Sequence, residues 1–148
     1  MKSIRTLVAA FLLLLITGSA QAYTWGDIDL ENSYGAGDNT ALLVVDFSPV
    51  SGDSFAWAVN FSGETIGYTD ILGVVEAADA DFTVEWNGTF VNSITYGSYS
   101  GPYDPTWANA WMSDTSQDLG ETWVGYATGV SDQGGIGWGY IPWGGPTP

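Results

Sequence analysis

Histidine and cysteine are absent from this 148-residue chain, and Lys2 and Arg5 are its only basic residues. Without His or Cys there is no Ser–His–Asp or Cys–His pair, and no imidazole- or thiolate-ligated zinc or haem. Without Lys beyond position 2 there is no Schiff-base lysine, and no G-x-x-x-x-G-K-[ST] phosphate loop occurs. Phosphate backbones are held by Lys and Arg, so nucleic acid is not an expected partner. An anionic membrane surface repels the chain for the same reason. The aspartic-protease D-[TS]-G signature is missing too, because Asp114-Thr115 is followed by Ser116. Carboxylate chemistry is what survives: paired Asp/Glu acid–base work, or the binding of hard cations.

The first segment is a leader. Met1–Arg5 is a short basic stretch, residues 7–16 are almost wholly apolar, and Ala20-Gln21-Ala22 offers the small residues a signal peptidase reads. Cleavage is expected after Ala22, placing the protein outside the cell, secreted or at its surface, or in the periplasm. The apolar run is shorter than the about 20 residues of a membrane span, so no membrane insertion is expected after cleavage. Removal of residues 1–22 leaves 148 − 22 = 126 residues, and takes the formal net charge from −15 to −17. That length suits one domain with its own core. With no disulfide available, packing must supply its stability.

Residues 23–40 are acidic and Gly/Asn-rich and read as an irregular N-terminal segment. Residues 41–141 read as a single β-rich domain, and the Pro/Gly run 142–148 as a tail. Ala41–Phe47 is a nearly continuous apolar strand, and Phe55, Trp57, Val59 and Phe61 alternate along a second; a hairpin is expected to join them. Tyr68, Ile71, Leu72, Val75 and Ala78 follow helical spacing, with Thr69 as the expected cap and Asp70 in the first turn. Phe82–Trp86 and Phe90–Tyr96 flank an Asn87-Gly88 hairpin turn, residues 97–105 read as a long loop, and strands are expected over 107–112, 121–128 and 136–141. The order is strand, strand, helix, then about five strands. It predicts an α+β fold, mainly antiparallel, with one helix packed on the sheet in a β-grasp-like arrangement; an all-β sandwich is the alternative.

Two regions carry candidate sites. Asp27, Asp29, Glu31, Ser33, Gly35 and Asp38 occupy positions 1, 3, 5, 7, 9 and 12 of a calcium loop, with Asn32 where the turn glycine belongs. A solvated acidic arm is the plainer reading of the same residues. In the 97–105 loop, Tyr99, Tyr103 and Asp104, with Trp107 just after, place aromatic faces beside a carboxylate. Such a group can stack on sugar rings while the acid accepts hydroxyl hydrogen bonds; the plainer reading tucks the tyrosines onto the sheet. Trp57, Phe61, Phe82, Trp86 and Trp138 are expected in the core. A glycosidase needs two carboxylates about 5–10 Å apart; Glu85 and Asp104 are the best candidates, and no motif supports any particular pair.

Several stretches resemble a group of exported bacterial proteins that usually end in a PEP-CTERM sorting tail. They are Val45-Asp46-Phe47, Ser54-Phe55-Ala56-Trp57, Phe61-Ser62-Gly63, Gly67 with Asp70-Ile71-Leu72, and Phe90-Val91-Asn92-Ser93-Ile94. Trp107, Trp111, Trp123, Gly129-Val130-Ser131 and Gly137-Trp138 complete the likeness. The Pro-Glu-Pro tail itself is not in this sequence. The strand–strand–helix–strand order is also similar to transcobalamin-like β-grasp modules. The resemblances imply a non-catalytic surface, matrix or binding module whose partners are polysaccharide or cell-surface components, with calcium as a possible aid. A small-ligand-binding transcobalamin-like module and a carboxylate-dependent glycan-active enzyme are the alternatives. A cavity of about 300 Å³ or more would favour the former.

Overall fold

A computed structural model describes residues 24–48, 50–106, 108–120, 122–125 and 129–142. The expected leader, Trp107, and residues 143–148 of the expected tail lie outside the described residues. The strands are β1 (Asn32–Gly35), β2 (Asn39–Asp46), β3 (Ser54–Phe61), β4 (Ile66–Gly67), β5 (Phe82–Asn87) and β6 (Phe90–Tyr96), then β7 (Tyr99–Gly101), β8 (Asn109–Ser116), β9 (Gly129–Val130) and β10 (Gly135–Pro142). One α-helix, α1 (Tyr68–Ala78), follows β4.

β1, β3, β2, β10 and β8 form, in that order, a five-stranded mixed sheet; β5–β6–β7 form a second sheet and β4–β9 a short third. Five of the seven strand pairings are antiparallel, and only β1–β3 and β2–β10 run parallel. Among the described residues the chain is therefore mostly β, with one α-helix and an open main sheet.

Period-2 alternation decides which face of that sheet is covered. Leu43, Val45, Trp57 and Val59 point to one side, joined by Ile136, Trp138 and Tyr140 of β10. Helix α1 lays Ile71, Leu72 and Val75 on this face, and the β5–β7 sheet adds Phe82, Val84 and Ile94. Trp57 is central: its ring meets Phe82 edge-on at 5.1 Å and Tyr96 at 5.0 Å. Glu76 of the helix accepts a hydrogen bond from the Val84 main chain (2.7 Å), fastening the second sheet to α1. The opposite face carries Gly135 and Gly137, and Trp123 lies over them.

The β2–β3 hairpin, the helix and the Asn87-Gly88 turn lie where the pattern predicts them. Of the expected core aromatics, Trp57, Phe61, Phe82 and Trp138 are buried, while Trp86, beside a bulge, is half-buried.

Four expectations differ. Residues 23–40 are not irregular throughout: Trp25–Asp27 is a 3₁₀ turn and Asn32–Gly35 is an edge strand. An edge position lets polar residues keep their outer groups in water, while Tyr34 packs inward and donates to Asp79 at 3.1 Å. The 97–105 stretch is not all loop, because the chain turns at Gly97-Ser98 and returns as β7 until Pro102, which has no N–H to continue a ladder. The strand expected over 121–128 is reduced, within the described residues, to a single bridge between Val124 and Thr115; Trp123 is used to cover glycine instead. Finally, Gly67 and not Thr69 stands at the helix N-cap, without a side-chain cap.

Candidate functional site

The predicted loop begins by laying its first tyrosine, half-buried, against the core. Tyr99 packs against Phe47 (6.0 Å between ring centroids) and Phe55 (4.8 Å), and its hydroxyl is held by Asp53. That hydrogen bond and the Asp53 charge raise the Tyr99 phenol above its usual pKa. Tyr99 packs on the sheet and is not among the residues that line the cavity beside Tyr103 and Asp104.

Past Gly101 the chain rises over the end of the main sheet, and Tyr103 and Asp104 reach a cavity of about 480 Å³. Its floor is aromatic: Trp111 of β8 with Trp138 and Tyr140 of β10. These rings are each at least 94% buried, since their exposures are 6%, 4% and 6%. Val91 and Ser113 form part of the wall. At the rim stand two exposed rings, Phe90 (68% exposed) and Tyr103 (46%). Isolated exposed aromatics are ordinary on a surface; here two stand beside one concavity.

The floor's polar atoms are spent inside the protein. Trp111 Nε1 donates to the Gly101 carbonyl at 2.9 Å, and the Tyr140 hydroxyl donates to the Pro102 carbonyl at 2.8 Å. Trp138 Nε1 is sealed from solvent and, among the described residues, has no hydrogen-bond partner. It is an internal cost of about 1–3 kcal/mol, not a donor offered to a ligand.

Asp104 was expected to accept hydrogen bonds from a sugar. Its oxygens are already occupied: Oδ1 accepts from the Thr106 N–H (2.8 Å) and hydroxyl (2.6 Å), and Oδ2 from the Asn109 N–H (3.0 Å) and amide (3.4 Å). A carboxylate has about four acceptor positions, so little capacity is left. Those bonds, chiefly from Thr106, hold its pKa below the ordinary 3.8, so it stays charged. Burial, and after it the Asp104 charge, push the Tyr140 phenol upward.

The outer edge of β8 completes the site. Thr115 pairs with Val124 through N–H and C=O, and the Asn109 N–H goes to Asp104. Main-chain groups alternate sides along a strand, so those of Trp111 and Ser113 face the same way, on the cavity's edge.

The expected calcium residues are not brought together. Asp27 Oδ2 accepts the Thr24 N–H (2.9 Å) and hydroxyl (2.7 Å); Glu31 accepts the Tyr96 hydroxyl (3.1 Å); Ser33 accepts from Asn60 (3.1 Å). Asp29 and Asp38 are exposed. A calcium loop must wrap its ligands to within 2.3–2.6 Å of one point, whereas extended backbone spaces alternate residues about 6.6 Å apart. Residues 32–35 are such an extended strand. Among the described residues, no group of three His, Cys, Asp or Glu side chains is placed to hold a metal ion. Glu85 is exposed on β5 and is not part of the cavity wall, so it does not pair there with Asp104.

The floor residues were legible only as core: Trp138 sits in an alternating strand and reads as buried, which it is. Phe90 was hidden beside the hairpin turn, where its exposure depends on the return angle of β6. No protein-family model, curated protein or solved structure matches this chain.

Proposed function

We propose that this chain is an exported, non-catalytic binding module that takes a small, largely apolar ligand in the cavity over Trp111, Trp138 and Tyr140. The observation that carries the reading is the cavity itself. At about 480 Å³ it falls within the 300–1,000 Å³ range of ligand pockets, and its aromatic floor is rimmed by exposed Phe90 and Tyr103. The leader supports a place outside the cell, and the sequence likeness to PEP-CTERM-type exported proteins supports a bacterial surface or matrix setting. A helix laid across a mixed sheet, with a cavity at the sheet's end, is in keeping with the finer transcobalamin-like, β-grasp-like reading. A glycan-hydrolysing role fits less well. A general acid needs a raised pKa, and Asp104 is pulled the other way.

A neutral naphthylamine dye tests the proposal. Purified protein should bind it saturably at one site, with enhanced dye fluorescence. Ser113→Phe, which puts a ring into the cavity wall, should abolish binding while leaving the circular dichroism spectrum intact. A dye isotherm unchanged by that substitution, or no binding at all, refutes the assignment of this cavity.

A further inference from the structure

We infer that the ligand of this cavity is a small organic cation, a methylated ammonium group seated against the aromatic rings beside Asp104. This rests on the cavity being the binding site, as proposed above. Three observations select the chemistry.

First, the exposed rings are at the rim, Phe90 and Tyr103, above an aromatic floor whose donors are already used. The Trp111 and Tyr140 donors are tied to main-chain carbonyls, and the Trp138 donor is sealed. A sugar carries a hydroxyl on nearly every carbon and would find no free donor on that floor. A methylated ammonium group has no hydrogen to donate and loses nothing on that account.

Second, Asp104 offers charge without acceptor capacity. Its four short contacts are all from its own turn, at Thr106 and Asn109. Such a carboxylate acts through its field and not through a directed bond. A quaternary nitrogen responds to field alone. An amine or hydroxyl ligand would compete with the turn for the same oxygens.

Third, nothing nearby cancels that field. No Lys or Arg follows Arg5, while all seventeen Asp and Glu residues do. A site of one sign attracts counter-charged ligands and repels carboxylates and phosphates. Aromatic faces within about 6 Å of a cation add their own attraction, and that attraction grows when water is excluded. The three observations converge on one chemical class.

Choline, and the neutral alcohol in which its quaternary nitrogen is replaced by carbon, make the deciding pair. The two match in shape and differ in charge. Competition against the bound dye, followed by calorimetry, should show choline binding about tenfold more tightly than the alcohol. Added salt should narrow the gap by screening the cation, with no such effect on the alcohol. Phe90→Ala and Tyr103→Ala remove exposed rings and spare the core. Each should weaken choline binding by about threefold or more.

Equal affinity for choline and the alcohol overturns the inference, as does dye binding that choline fails to displace. In both results the cavity stands as a site and only the ligand class falls. If the dye also fails to bind, the cavity assignment falls together with the cation.

Discussion

A single methyl group added at Gly101 tests the packing beneath the cavity. Gly101 closes β7 between the two rings of the floor. An alanine Cβ there would stand 2.5 Å from Trp111 Cζ2, 2.9 Å from Trp111 Cε2 and 2.8 Å from Tyr140 Cγ. Carbon atoms rest at about 3.5–4.0 Å, so something must move by about 1 Å. Neither ring is free to do so. Trp111 Nε1 is bonded to the carbonyl of Gly101 itself, and its ring meets Phe47 edge-on at 5.4 Å. Overpacking of this kind costs about 1–3 kcal/mol. For a domain of this size that lowers Tm by about 4–10 °C. Urea unfolding followed by tryptophan fluorescence should show Gly101→Ala with a lower midpoint and an unchanged slope. Dye affinity should fall as well, because Trp111 and Tyr140 are displaced. The control is the same methyl group at Gly73, in the helix, where nothing lies within 4 Å of the new atom. Gly73→Ala should raise stability by up to about 1 kcal/mol through helix propensity. A Gly101→Ala midpoint equal to the wild type would refute the close approach of β7 to the floor rings, and a gain would refute it more strongly.

Two pH dependences follow from hydrogen bonds at the surface. Asp27, Asp104 and Asp118 are each held below 3.8, by Thr24, Thr106 and Ser116 respectively as the largest influence. A depressed folded pKa gives stability that is present above the unfolded value and lost as pH falls through the folded one. Tm should therefore hold steady down to about pH 4 and drop below it, and Asp104→Asn with Asp118→Asn should flatten that drop. At the other end, the Tyr96 phenol is pushed up to about 12 by burial and by the hydrogen bond to Glu31. Here the folded pKa is raised, so the stabilisation is complete below 10.0 and disappears as pH climbs to about 12. Ultraviolet titration should find one tyrosine ionising last among the set, and Tyr96→Phe should remove it.

Most of the architecture was written in periodicities of two and 3.6. The β2–β3 pair, α1 and the β5–β6 hairpin each combine such a period with a turn signal, and each forms where expected. What failed had no period to read. Residues 32–35 contain Asn, Ser and Gly, and they become a strand only because β3 offers them a free edge. The calcium spacing counted residues as though they wrapped, whereas Asp27 lies in a 3₁₀ turn and Ser33 and Gly35 lie in the extended β1. Asp104 illustrates the limit at the site. Its position beside Tyr103 was visible, but the use of both oxygens by Thr106 and Asn109 depends on how the loop folds back. The same holds for Trp111, Trp138 and Tyr140: their burial was predictable, while the hollow above them is a property of how β6 and the 102–104 loop diverge.

The position of β10 bears on how this protein reaches its final state. The last described strand does not sit at the margin of the main sheet; it lies between β2 and β8. Leu43 and Val45 pair with Trp57 and Phe55 on one side, but on the other side their neighbours are Ile136 and Trp138, made some ninety residues later. A polypeptide emerging from a ribosome therefore cannot complete its interior until β10 has followed, and closure is deferred to that strand.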